Sequence, residues 1–262
     1  MKKLLKLSAL CLTLVMMLGC LAACGGDGGS SADSADENAL NLITPGKLVM
    51  GTNAAFPPFE YLEGTNVVGV DAEMLAAIAE KLGLELEISD VEFKSLPEML
   101  STKKIDVIAA GFTVKPEREE TMDFTNTYYE AVQTIIVMKD SDIQSVDDVV
   151  GLKIGVQEGT TGLYEAEELT EEEKIVEFGN GALAVEALKN GTVDAVIIDN
   201  NPAKEYAAQS SEIRLIEDQF EPEHYAMAVN KGNKALLDAI NNALRDIKAD
   251  GTFDAIIAKY IK

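Results

Sequence analysis

Two segments decide how this chain is read: Leu100-Ser-Thr-Lys-Lys-Ile105-Asp106-Val107-Ile108 and Leu188-Lys-Asn-Gly-Thr-Val193-Asp194-Ala195-Val196. Each runs from a helix end through a polar turn into an apolar strand with an aspartate at its second position. A junction of this kind closes one helix and opens one buried strand, so two of them predict two α/β units. Around them, short β-branched runs alternate with amphipathic stretches of helical period, the pattern of an α/β protein. Strands are predicted at Leu48–Gly51, Leu84–Ser89, Ile105–Ala109, Lys153–Val156, Lys174–Phe178 and Val193–Ile198. Helices are predicted at Asp71–Leu82, Leu96–Ser101, Thr161–Glu168, Ala182–Leu188, Asn200–Ala208, Lys234–Lys248 and Thr252–Tyr260. In open α/β sheets ligands bind beyond the carboxyl ends of the strands, which here are Ala110-Gly111-Phe112-Thr113 and Asp199-Asn200. Two further extended runs, Ala131–Met138 and His224–Val229, fit either core strands or crossovers between the units.

Composition removes most other classes. The 262 residues are 47% hydrophobic and 26% charged, with 22 Lys plus Arg against 45 Asp plus Glu and a net charge of −23. Such a chain repels nucleic acid and anionic membrane surfaces. One His, and three Cys confined to the first 24 positions, leave no His/Cys metal site, no Cys–His nucleophile pair and no disulfide framework; no metal or cofactor is expected. The segment from residue 46 onward is large for one small domain and suits two lobes.

The first 23 residues read as a signal peptide. Lys2, Lys3 and Lys6 precede an apolar run from Leu7 to Leu18 that is too short to span a bilayer. Leu21-Ala22-Ala23-Cys24 resembles the lipobox of bacterial lipoproteins, which implies cleavage before Cys24 and a diacylglycerol on its sulfur; Gly19-Cys20 is a weaker second candidate. Residues 24–45, rich in Gly, Ser and Asp, are expected to be a flexible tether. The body is then held by its lipid on the extracellular or periplasmic face of the cell membrane. Without residues 1–23 the chain carries 19 basic and 45 acidic residues, or −26.

Gly69-Val70-Asp71-Ala72-Glu73-Met74, followed by a helix ending Lys81-Leu82-Gly83, resembles the signature of extracellular solute-binding proteins for polar amino acids, the receptors of ABC importers. Colinear matches follow: Gly51-Thr52-Asn53-Ala54-Ala55-Phe56-Pro57-Pro58-Phe59-Glu60, Lys104-Ile105-Asp106 leading to Ala110-Gly111-Phe112-Thr113 and Arg118, Gly155-Val156-Gln157-Glu158-Gly159-Thr160-Thr161, and Asp194-Ala195-Val196 ending at Asp199. The resemblance implies a type II periplasmic-binding-protein fold: two α/β lobes joined by two crossover strands, closing on a ligand between them. It favours the crossover reading of the two extended runs. Residues 46–134 plus 228–262 are then expected to form one lobe and 135–227 the other.

Carried over position by position, the resemblance implies that Arg118 binds the α-carboxylate of a free amino acid, helped by the backbone N–H of Thr161. Asp199, Thr113 and the Gly111 carbonyl would hold the α-ammonium group, Phe56 and Phe93 would flank the ligand, and Asn53 and Gln157 would line the side-chain pocket. The residue types fit: a guanidinium can grip a carboxylate with two parallel bonds, and a helix start offers free N–H groups. Asp199 has a competing role as the N-cap of the helix that follows it. Asn53 and Gln157 are both neutral, which favours a neutral polar side chain. The implied partners are the free L-amino acid and an ABC transporter permease, with the receptor a monomer. The alternative is an enzyme on the same scaffold, acting as a cyclic-acid dehydratase; Glu158 is the one candidate acid in the cleft segments, and its glycine-rich turn suits it poorly.

Overall fold

A computed structural model describes residues 40–216 and 220–261. Its elements, in chain order, are β1 (Lys47–Thr52), β2 (Ala55–Phe56), β3 (Glu60–Glu63), β4 (Asn66–Val68), α1 (Val70–Leu82), β5 (Glu85–Asp90), α2 (Leu96–Ser101), β6 (Val107–Ile108), α3 (Pro116–Glu119), β7 (Met122–Phe124) and β8 (Tyr129–Met138). There follow β9 (Ile154–Gln157), α4 (Thr161–Leu169), β10 (Ile175–Phe178), α5 (Gly181–Lys189), β11 (Ala195–Asp199), α6 (Asn200–Gln209), β12 (Ile213–Leu215), β13 (Pro222–Tyr225), β14 (Ala228–Asn230), α7 (Lys234–Ala249) and α8 (Thr252–Tyr260).

Two sheets of matching order result, β5-β1-β6-β14-β7 and β10-β9-β11-β8-β12, with a small hairpin sheet β2-β3-β4. In each large sheet the first three strands are parallel and the last interior strand is antiparallel to them. The interior parallel strands β9 and β11 are buried along their whole length between α4 and α5. The helices contribute apolar stripes of the right period: on α7, Leu236, Ile240, Ala243, Leu244 and Ile247 all face inward.

The aspartate that recurs in both opening segments has the same job in both sheets. Asp106 accepts the N–H of Val49 in β1 at 2.9 Å, and Asp194 accepts the N–H of Lys153, just before β9, at 3.0 Å. Each carboxylate thus ties the start of its own strand to the start of the neighbouring parallel one.

The chain passes from the first sheet to the second between β7 and β8, and returns between β13 and β14. The two passages lie side by side, because β13 pairs antiparallel with β8, setting Tyr225 opposite Tyr129 and Glu223 opposite Ala131. The run His224–Val229 therefore contains a crossover, whereas Ala131–Met138 lies wholly inside β8, a core strand of the second sheet that begins just after the other crossover. β8 already belongs to the second sheet at Tyr129, so the expected lobe boundary at 134 falls inside a strand. Leu40 is 5% exposed and its carbonyl accepts from Asn233 at 3.1 Å, so the end of the expected tether packs onto the body. Cys24, the signal peptide and the rest of the tether lie outside the described residues. Among the described residues no helix is long and apolar enough to cross a membrane.

Candidate functional site

Four parallel strands deliver their carboxyl ends to one place. Asn53 follows β1, Ala110 and Gly111 follow β6, Gln157 closes β9 and Asp199 closes β11, so each sheet contributes two. Between them lies a narrow, partly enclosed cavity. Asn53, Phe56, Phe93, Gly111, Thr113 and Arg118 line it from the side of the first sheet, and Gln157, Thr161 and Asp199 from the side of the second. All nine residues singled out from the sequence for a ligand are thus brought to one cavity, whose wall Glu60, Ala110 and Thr160 complete.

Arg118 rises from the short helix α3 and is only 9% exposed. Its Nη1 donates to the Thr113 carbonyl at 2.8 Å, its Nη2 donates across the cleft to the Gly159 carbonyl at 3.1 Å, and its guanidinium stacks 4.1 Å from the Phe112 ring centroid. Burial pulls its pKa below the ordinary arginine value. Among the described residues Arg118 forms no ion pair, and its guanidinium is held by carbonyl dipoles and the faces of Phe112 and Phe93. A buried cation in that state is costly and is relieved by an anion that enters the cavity.

Asp199 occupies the N-cap position of α6, but its side chain caps nothing there. It instead accepts the Tyr225 hydroxyl in a very short hydrogen bond. Burial, with the nearby charge of Glu223, pushes its carboxyl up to about 7 against the pull of Tyr225 and Gln133. Gly111 sits at φ 53 with its N–H on Asp71 Oδ2 at 2.8 Å, and a Cβ there would stand 2.8 Å from the Phe56 ring. The left-handed backbone and the close ring together leave room for glycine only. Asp71, buried and also accepting from Tyr128 at 2.7 Å, is pushed up to about 6 by burial.

The far wall is built across the cleft. Gln157 Nε2 donates to Asn53 Oδ1 at 3.0 Å, while Asn53 Nδ2 donates to the Val91 carbonyl at 2.8 Å. Glu60 also lines the cavity, fully buried, and neither of its carboxylate oxygens has a hydrogen-bond partner among the described residues. Burial, then the charges of Asp71, Asp199 and Asp90, drives its pKa well above the carboxylate range. Phe56 stacks on Phe59 at 5.9 Å, and Phe93 leans on Phe112 at 5.5 Å, so both rings are held by other aromatics as they face the cavity. Just outside the cavity, Lys94 and Glu158 form a 2.5 Å ion pair from one side of the cleft to the other.

The sequence reading passed over two carboxylates. Glu60 opens β3 directly after the apolar run Phe56–Phe59 and carries no local mark of burial. Glu223 lies behind the wall on β13, where it accepts the hydroxyls of both Thr113 and Thr161 at 2.8 Å. Tyr225, two residues on and fully buried, was the available signal, because alternate residues of a strand share a face.

The model of the bacterial extracellular solute-binding proteins, family 3, matches residues 48–262. The chain is 34% identical over 265 residues to the arginine-binding extracellular protein ArtP of Bacillus subtilis (strain 168), covering 99% of this chain and 98% of that protein. It is 32% identical over 268 residues to the ABC transporter glutamine-binding protein GlnH of the same strain, covering 100% and 98%. Among solved structures, the arginine-, lysine-, histidine-binding protein ArtJ from the thermophilic bacterium Geobacillus stearothermophilus matches with a TM-score of 0.79 and 35% identity, covering 82% of this chain and 95% of that one. With the two-lobed type II fold, the cleft between its sheets and a match along nearly the whole body, this chain belongs to the bacterial extracellular solute-binding proteins, family 3.

Proposed function

We propose that the protein binds a free L-amino acid with a cationic side chain, of the arginine type, and delivers it to the permease of an ABC importer without chemical change. One observation carries this reading: the cavity wall holds a buried guanidinium without an ion-pair partner, Arg118, and two buried carboxyls, Asp199 and Glu60. Arginine offers the complement of each, a carboxylate, an α-ammonium and a side-chain guanidinium. In this assignment Arg118 takes the carboxylate with the N–H of Thr161, Asp199, Thr113 and the Gly111 carbonyl take the ammonium, and Phe56 and Phe93 flank the ligand. Asn53 and Gln157 line the side-chain end, and Glu60 pairs with the cation there. Glu60 is the reason to prefer a cationic side chain over the neutral one that Asn53 and Gln157 alone favour. The names of ArtP and ArtJ support the same class, while that of GlnH keeps glutamine as the competitor to test against.

The segments 125–128 and 226–227 serve as the paired hinge in this proposal, and Cys24 as the lipid anchor of a monomeric receptor. The enzyme reading loses its one candidate acid, since Glu158 is paired with Lys94 and does not line the cavity. Calorimetric titration of the body with the common amino acids tests the proposal. Arginine should bind more tightly than glutamine, and Glu60→Gln should cost arginine at least about tenfold in affinity while glutamine changes by less than about threefold. Tighter binding of glutamine, or equal losses for both ligands, would overturn the assignment of the side chain.

A further inference from the structure

We propose that Glu223 is a positioning residue, which holds the two threonine hydroxyls of the cavity wall, one from each lobe, and thereby turns Thr113 into an acceptor that selects an α-ammonium group. The inference rests on the reading of Thr113 and Thr161 as ligand contacts and adds a residue that touches no ligand. Glu223 is 8% exposed, stands on the returning crossover strand β13 and is absent from the cavity wall. A single oxygen, Oε2, accepts Thr113 Oγ1 and Thr161 Oγ1, each at 2.8 Å.

The backbone makes this meeting obligatory. Segment 112–114 runs antiparallel along 224–226: Val114 N–H donates to the His224 carbonyl at 2.9 Å, Ala226 N–H donates to the Phe112 carbonyl at 3.1 Å, and Thr113 lies opposite Tyr225. Thr161, the first residue of α4, reaches the same carboxylate from the other lobe and also accepts Gln133 Nε2 at 3.1 Å.

A hydroxyl by itself is ambivalent, one donor and two acceptor sites that rotate to suit a neighbour. Glu223 removes that freedom. Thr113 spends its proton on the carboxylate and keeps its lone pairs for the cavity, so it can accept from an ammonium N–H and cannot donate to an anion. Thr161 has its proton and one lone pair committed, to Glu223 and from Gln133, which fixes its χ1. The charge of Glu223 bears on Asp199 as well, so the end of the cavity behind both threonines favours a cation. A ligand with an α-hydroxyl in place of the α-ammonium loses this match, because it carries no positive charge for Thr113 and Asp199 to share.

The test titrates the wild type, Glu223→Gln, Thr113→Val and the double variant with L-arginine and with its α-hydroxy analogue. Glu223→Gln should weaken L-arginine by at least about tenfold and the analogue by less than about threefold. In the Thr113→Val background the same change should add less than about threefold, because the two residues act as one unit. Equal losses for both ligands, or losses that multiply in the double variant, would overturn the assignment. If Glu223→Gln does not fold, as judged by circular dichroism, Glu223→Asp replaces it with the same expectations at smaller size. Titration of the wild type with L-arginine and L-glutamine comes first. Binding of neither overturns the reading of the cavity and the Glu223 assignment with it, whereas ligand binding with multiplicative losses overturns the Glu223 assignment alone.

Discussion

Asp199 is the group through which pH should act on ligand binding. Its carboxyl is pushed up to about 7 by burial and by Glu223, so below that pH it is protonated in the free cavity. Pairing with an ammonium group requires the ionised form and pulls the carboxyl back toward the ordinary range near 4. The sign follows from this difference. Above pH 7 the carboxylate is already present and affinity is full; below it, binding must expel a proton, and affinity falls by about tenfold per pH unit until the bound-state value is reached. Between pH 7.5 and 5.5 the protonation factor of the free site rises from about 1.3 to about 33, so Kd should rise about 25-fold, or ~1.9 kcal/mol. Glu60, displaced in the same direction, adds to the effect for cationic side chains. Calorimetry in buffers of different ionisation enthalpy measures both the affinity and the protons released, and far-UV circular dichroism at pH 5.5 checks that the fold is intact. Asp199→Asn should bind weakly with a flatter profile. A Kd constant within twofold over this interval, or one that rises with pH, would refute the reasoning.

Arg118→Ala should weaken amino-acid binding by about 2–5 kcal/mol in the same titration, since it strands a buried ligand carboxylate; near-normal affinity would place the carboxylate elsewhere. Gly69 has φ 123, and a Cβ on it would lie 2.2 Å from the Phe59 carbonyl oxygen. Gly69→Ala should therefore destabilise the fold by about 1–3 kcal/mol in urea unfolding, by strain and by displacement of the loop that carries Phe56 and Glu60. The Lys94–Glu158 pair joins the two sides of the cleft at half-exposed positions. Lys94→Ala should lower affinity by at most about fivefold through faster ligand release and reduce its salt dependence, and the exchange of both charges should restore it.

The fold could be read from the sequence because its signals are local and repeated. Continuous apolar runs mark strands covered on both faces, and the stripe of α7 marks a helix with one buried face. The strands that escaped are short, two to four residues in β2, β3, β4, β7 and β12, and of β13 only the end at His224–Tyr225 was read as extended. Pairing of β13 with β8 joins residues more than eighty positions apart, which no window of sequence contains.

The same distinction separates the site residues that could be named from those that could not. Asp199, Gln157 and Asn53 stand at strand ends, where the chain itself announces an opening, and Arg118 stands on the short helix α3 just beyond such an end. Glu60 and Glu223 each lie near an exposed glutamate of their own strand or approach, Glu63 and Glu221, and charge alone assigns all four to solvent. What separates them is the partner strand. In β13, Glu223 and Tyr225 turn inward while Pro222 and His224 turn outward, so once Tyr225 is placed in the aromatic core with Phe59 and Tyr129, the alternation carries Glu223 inside with it. A buried carboxylate then needs donors, and the threonine hydroxyls from both lobes are the groups within reach. The register of the crossover, rather than any motif, thus brings the two lobes to one carboxylate oxygen behind the proposed ammonium site.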